Sequence, residues 1–157
     1  MDSKLQLVHQ VLHGQFLGYT NITSPFGRRT SPTAGASSFH KGMDIGAPEG
    51  SILIAATDGK ITYLGFLGGG GYTITLSNEN MKLTYCHVSP NFLVEVGQQI
   101  KRGELIGQVG PKNVYNVPGN TYKDSEGRPT NGATTGCHLH FGVRINDEYI
   151  NPLNFYT

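Results

Sequence analysis

The chain has 157 residues, enough for one domain with a hydrophobic core and too few for two comfortable ones. Lys and Arg number 12 against 11 Asp and Glu, a formal charge of +1 with no basic block, which excludes the electrostatic footprint of a nucleic-acid binder. The 22 glycines and 8 prolines punctuate short runs rich in Val, Ile, Thr and Tyr, so the composition predicts an all-β chain of short strands and tight turns.

In chain order, Ser3 with Gln6 forms a capping-box pattern, and Leu5, Val8 and Leu12 follow at helical spacing before Gly14. A short N-terminal helix is expected there, within an extension or linker remnant over residues 1–20, and residues 21–157 form the domain. His9 and His13, four apart, read as solvated side chains of that helix. No apolar run approaches the roughly 18 residues of a membrane span, and Met1 to Thr20 lacks the charged start and long apolar centre of a signal peptide. Membrane insertion is not expected.

From Thr20 onward the pattern changes to strand and turn. Residues 52–66, ILIAATDGKITYLGF, are two β-rich runs about Asp58-Gly59, which predicts a hairpin. Tyr72 to Ser77 and Met81 to His87 form a second pair about Asn78-Glu79-Asn80, and Phe141 to Ile150 holds a third about Asn146-Asp147. In residues 94–110, Val96, Ile100 and Ile106 alternate with Gly97, Gly103 and Gly107, as the short strands and sharp corners of a compact barrel or sandwich require. The expected fold is a compact antiparallel barrel-sandwich domain with a loop-walled groove. Pro111 to Gly136 breaks the rhythm: it is long, polar and turn-rich, and it runs straight into a pair of histidines.

That pair lies in CHLHF, residues 137–141. A strand period of two puts His138 and His140 on one face, with Cys137, Leu139 and Phe141 on the other. Two satisfied structural histidines would explain an isolated HxH equally well. The segment FHKGMDIGAPEG adds His40 and Asp44, four apart. These two with one histidine of the HxH would give three protein ligands and an open fourth position, the pattern of a catalytic zinc that activates water. His87, in LTYCHVS, ends a strand that begins near Met81. The two cysteines, Cys86 and Cys137, lack CxxC spacing, and alternation is expected to turn both thiols away from the face of the site histidines.

The strings SPFGRR, HKGMDIGAPEGSILIAATDGKI, GGGYTITL, YCHVS, VEVGQQIKRGELIGQVG and GCHLHFGV follow one another in this order from about Thr23 to Asn154. Together they resemble the lysostaphin-like (LytM-type) zinc metallopeptidases, which cut peptide bonds in bacterial peptidoglycan. The resemblance implies Zn2+ held by His40, Asp44 and His140, with His87 and His138 as catalytic residues that assist the attacking water and stabilise the oxyanion. It leaves open which of the two does which. It implies a zinc endopeptidase acting on stem peptides or cross-links, outside the cytoplasmic membrane, in the cell wall or periplasm. As given, the chain would then be a fragment, or delivered by a phage or mobile element. It is expected to be a monomer or a domain of a larger protein. The loop between Gly110 and His138 departs from the family pattern and leaves the specificity for a particular bridge open. Two competing readings are a non-cleaving cell-wall-binding or hydrolase-regulating module on the same fold, and a zinc peptidase for another small peptide with the loop as lid.

Overall fold

The structure is a computed structural model and describes residues 22–28 and 39–152. The N-terminal helix and the His9–His13 pair lie outside the described residues. The strands are β1 (Ile22–Ser24), β2 (Gly27–Arg28), β3 (Phe39–His40), β4 (Met43–Gly46), β5 (Ile52–Ile54), β6 (Gly59–Phe66), β7 (Tyr72–Asn78), β8 (Met81–Cys86), β9 (Gln99–Ile100), β10 (Leu105–Gln108), β11 (His138–Ile145) and β12 (Glu148–Ile150). A 3-10 turn, Gly68–Gly70, precedes β7.

An eight-stranded sheet runs β1-β4-β11-β8-β7-β6-β9, with β12 paired to β11, and every pairing in it is antiparallel. Period-two alternation gives this sheet two unlike faces. On the core face, Met43, Ile45, Ile74, Leu76, Leu83, Tyr85, Leu139, Phe141 and Val143 are all buried. The antiparallel pair β5–β10 covers them with Leu53 and Ile106. Each such aliphatic side chain stabilises the fold by roughly 1.5–3 kcal/mol when buried. The opposite face carries short and polar side chains: His138, His140 and Gly142 from β11, Thr84 and Cys86 from β8, and Thr73 from β7.

Two of the three expected hairpins form. The chain turns between β7 and β8 at Glu79, which has φ of 53°, and between β11 and β12 at Asn146 and Asp147, with φ of 52° and 63°. The third does not form. β5 pairs with β10, and β6 pairs with β7 and β9. Asp58-Gly59 is instead a corner that carries the chain from the small sheet to the large one. Asp58 accepts there from the Arg102 backbone N–H at 2.8 Å and, through its carbonyl, from Asn78 Nδ2 at 2.8 Å. A Cβ on Gly59 would lie 2.5 Å from the Ser77 carbonyl oxygen, so the close approach of β7 requires glycine.

The segment from Pro111 to Gly136 is folded upon itself. Isolated bridges join Asn113 to Thr130 and Lys123 to Pro129. The Asp124 carboxylate accepts from the backbone N–H groups of Glu126 and Arg128, from Asn113 Nδ2 and from the Arg128 guanidinium, with Lys112 Nζ at 3.4 Å. The backbone bond from Arg128 leads the contributions that hold this carboxyl below the usual carboxylate range.

Tyr85 ties the two layers together. Its hydroxyl donates to the Ile54 carbonyl and accepts from the Ala56 N–H, both at 3.0 Å. Tyr85→Phe removes both contacts in a buried setting and is expected to lower unfolding stability by about 1–3 kcal/mol in urea titrations. A change below about 0.5 kcal/mol would show that water replaces the hydroxyl and that the tie is dispensable.

Candidate active site

The antiparallel register between β4 and β11 sets Asp44 directly opposite His140, and the next pairing on that face sets Gly46 opposite His138. β2 and β3 bring His40 in from the side, with Gly27 as its partner. Three atoms then converge: His40 Nε2 lies 3.0 Å from His140 Nδ1, His140 Nδ1 lies 3.0 Å from Asp44 Oδ1, and His40 Nε2 lies 3.2 Å from Asp44 Oδ1. His40 Nδ1 is 2.9 Å from the Pro25 carbonyl, which can only accept, so this nitrogen carries the proton and Nε2 offers a lone pair. With both rings neutral, at most one N–H remains for three short edges. Such a triangle of lone pairs is what a shared cation relieves, and its sides of 3.0–3.2 Å fall a few tenths of an ångström short of the roughly 3.3–3.6 Å between donors around a tetrahedral ion with bonds of about 2.0–2.2 Å. Two imidazoles and a carboxylate are zinc-type donors, and the bond from His40 Nδ1 to a carbonyl is the outer support that metal-binding histidines need.

Burial alone would raise the Asp44 carboxyl. The imidazoles of His140, His40 and His138 gathered around it favour the ionised form, outweigh burial and hold the carboxylate well below its usual range. A glycine makes room for the cluster: a Cβ on Gly42 would sit 2.9 Å from His140 Nε2.

The two remaining histidines stand beside the triangle. The His138 ring lies 4.6 Å from that of His87, centroid to centroid, and its Nε2 is 3.6 Å from Asp44 Oδ1. His138 Nδ1 meets the Gly136 carbonyl at 3.2 Å and the Thr134 hydroxyl at 3.3 Å. His87 follows β8 in a left-handed conformation, φ 60°, which costs a non-glycine residue about 1–3 kcal/mol and is seen chiefly where surrounding structure imposes it. Its N–H donates to the Gly70 carbonyl at 2.8 Å, its carbonyl accepts from Gly110 N–H at 3.0 Å, and its Nδ1 is 2.7 Å from the Asn131 carbonyl. Burial, followed by the charge of His138, depresses the His87 imidazole to about 3, and burial also lowers His138. All five residues line one open groove of about 860 Å³, whose walls include Phe39, Leu67, the 133–137 segment and Tyr149.

The expectation for Cys86 is overturned. It is the cross-strand partner of His140 and so shares its face, with Sγ 3.8 Å from the Thr73 hydroxyl. The left-handed turn at His87 interrupts strand alternation, so Cys86 and His87 both face the groove. Burial pushes the Cys86 thiol up to about 12, which keeps it protonated and a poor ligand. Cys137 is exposed and lines the groove beside His138, and both thiols are free. The sequence reading also missed the groups that hold the rings, the carbonyls of Pro25, Asn131 and Gly136. Backbone acceptors leave no signature in residue type.

The sequence model of Peptidase family M23 matches residues 38–152. The chain belongs to this family. The DD-carboxypeptidase/endopeptidase Mpg of Neisseria meningitidis serogroup B is 34% identical over 139 residues, covering 88% of this chain and 27% of that protein. This M23 chain therefore spans about a quarter of the length of that curated relative. A zinc containing peptidase from Vibrio cholerae superposes with a TM-score of 0.65 at 27% identity, over 85% of this chain and 36% of that one. The catalytic domain of lysostaphin from Staphylococcus simulans, 24% identical, superposes with a TM-score of 0.69 over 96% of both chains and shares the all-β fold.

The depressed His87 has a consequence for the metal-free M23 chain. Between about 3 and its ordinary value near 6.5 the unfolded chain takes up a proton that the folded chain refuses, so stability falls as pH drops through that window. Urea midpoints measured from pH 7 to pH 4.5 are expected to fall by an amount equivalent to about 2–3 kcal/mol more in the parent than in His87→Gln. Equal slopes in the two proteins would place the acid sensitivity elsewhere.

Proposed function

We propose that this M23 domain is a zinc endopeptidase that hydrolyses an amide bond in the stem peptides or cross-links of bacterial peptidoglycan, with the metal held by His40, Asp44 and His140. The observation that carries this reading is the triangle of lone pairs on the floor of an open groove, with two further imidazoles beside it. Its similarity to a DD-carboxypeptidase/endopeptidase and to a zinc containing peptidase favours the same chemistry. Zinc, when bound, supplies Lewis acidity to polarise the scissile carbonyl and lowers the pKa of water at the site.

The chain's own groups do the rest. The groove is open at the surface and accepts an extended peptide. Phe39, Leu67 and Tyr149 stand exposed along its walls and exclude water from a bound chain. Lys41 and Arg144 lie over the Tyr149 ring, 5.3 and 5.4 Å from its centroid, and fix its orientation. His87 and His138 are not among the converging three. A neutral imidazole at either position accepts the proton of the attacking water, and once protonated donates to the oxyanion or to the leaving amine. Peptidoglycan lies outside the cytoplasmic membrane, so the domain acts in the cell wall or periplasm. Among the described residues no helix is long and apolar enough to cross a membrane.

Mass spectrometry of peptidoglycan fragments separates this reading from a non-cleaving wall-binding module. New peptide ends are expected that vanish with chelator and return with zinc. Asp44→Ala and His140→Ala are expected to lose stoichiometric zinc binding together with hydrolysis. His138→Ala is expected to keep the zinc and to lose about 100-fold or more in rate. Intact peptidoglycan of every cross-link type beside one bound zinc per chain would defeat the endopeptidase reading and favour the binding module.

A further inference from the structure

The loop between Gly110 and His138 enters the site only near its end, where Thr134 and Gly136 meet His138 and residues 133–137 wall the groove. Its length suggests a lid or a specificity wall. The hydrogen bonds point elsewhere, to a single residue near its end. Asn131 is wholly buried. Its side-chain oxygen accepts from the Tyr72 N–H at 2.7 Å, and its side-chain nitrogen donates to the Val88 and Pro111 carbonyls at 3.0 and 3.2 Å. Its own N–H donates to the Lys112 carbonyl at 2.8 Å. One side chain thus joins the start of β7, the residue after His87 and the first residue of the loop. The fit is close on every side. A Cβ on Gly71 would lie 2.3 Å from the Asn131 carbonyl oxygen, and one on Gly110 would lie 2.8 Å from its side-chain nitrogen.

With every other polar group of Asn131 occupied, its carbonyl oxygen meets His87 Nδ1 at 2.7 Å. A carbonyl can only accept, so Nδ1 carries the proton and Nε2 is left as the lone-pair nitrogen for whatever occupies the groove. We propose that Asn131 is a positioning residue: anchored by its side chain, it holds His87 through its backbone carbonyl in one ring orientation and one tautomer. This rests on the reading of His87 as catalytic. It gives the loop a different task from selecting substrate. The residues that pair at Asn113 and Thr130 already lie side by side, so the stretch between them is not required for the anchor.

The tautomer can be read without substrate or metal, so its failure is separate from failure of the endopeptidase reading. Long-range 1H–15N correlation spectra of the full chain, with His87 assigned by substitution, are expected to show Nδ1 protonated and Nε2 bare. In Asn131→Ala and Asn131→Asp, the second of which sets a carboxylate against the Val88 and Pro111 carbonyls, the single tautomer is expected to be lost. In the zinc-loaded enzymes kcat is expected to fall by about 10- to 100-fold, with KM within about twofold. Tyr85→Phe, destabilised in the core, is the control and is expected to leave tautomer and kcat unchanged. A chain in which a two-residue turn replaces residues 114–129 is expected to keep both as well. A His87 ring protonated at Nε2 in the intact chain would overturn the proposal. So would a folded Asn131 variant with the tautomer and kcat of the parent, or loss of the tautomer in the shortened chain with Asn131 in place.

Discussion

His40 Nε2, Asp44 Oδ1 and His140 Nδ1 are held 3.0–3.2 Å apart on the floor of a groove, and with both rings neutral at most one of the three edges has a proton, so a positive charge between them relieves the others. Side chains left to themselves would relax away from such a contact. They do not, because each is set by something stiffer than its own torsions. Asp44 and His140 are cross-strand partners in the middle of an eight-stranded sheet, and His40 is tied to the Pro25 carbonyl. The core on the far face of that sheet, from Met43 and Ile45 across to Phe141, is what keeps the register. A one-residue slip of β11 would bury both histidines in the core and expose Leu139 and Phe141.

The second constraint is the backbone at His87. A strand would carry its next side chain to the core face, and only the left-handed conformation at this residue keeps the imidazole on the groove side, beside Cys86. Gly70, Gly110 and Asn131 hold that conformation from three directions. Two of these supports lie at the ends of the long loop, so a segment that looks like an insertion is part of the frame of the site.

Much of this was legible in the sequence where a local rule decides the outcome. The alternation of CHLHF placed His138 and His140 on one face and Leu139 in the core, and the turns at Glu79 and at Asn146-Asp147 fell where their residue types predicted. The His40–Asp44 spacing pointed to a ligand pair, and the two residues do meet in space. Local rules failed where a distant strand competed. Asp58-Gly59 has the composition of a hairpin turn, but β5 has a better partner in β10 and β6 in β7, so the same residues make a corner. The Cys86 thiol was misplaced because alternation was carried one residue too far, past a positive φ that no residue type announces. Asn131 was invisible for a plainer reason: it acts through a carbonyl that every residue possesses, and its side chain meets partners 20 to 59 positions away.

The measurement that bears most directly on this account is anomalous diffraction at the zinc edge from crystals of the zinc-loaded chain. One strong peak is expected within about 2.0–2.2 Å of His40 Nε2, Asp44 Oδ1 and His140 Nδ1 together. A peak held by other residues, or none at these three atoms with zinc in excess, would contradict it.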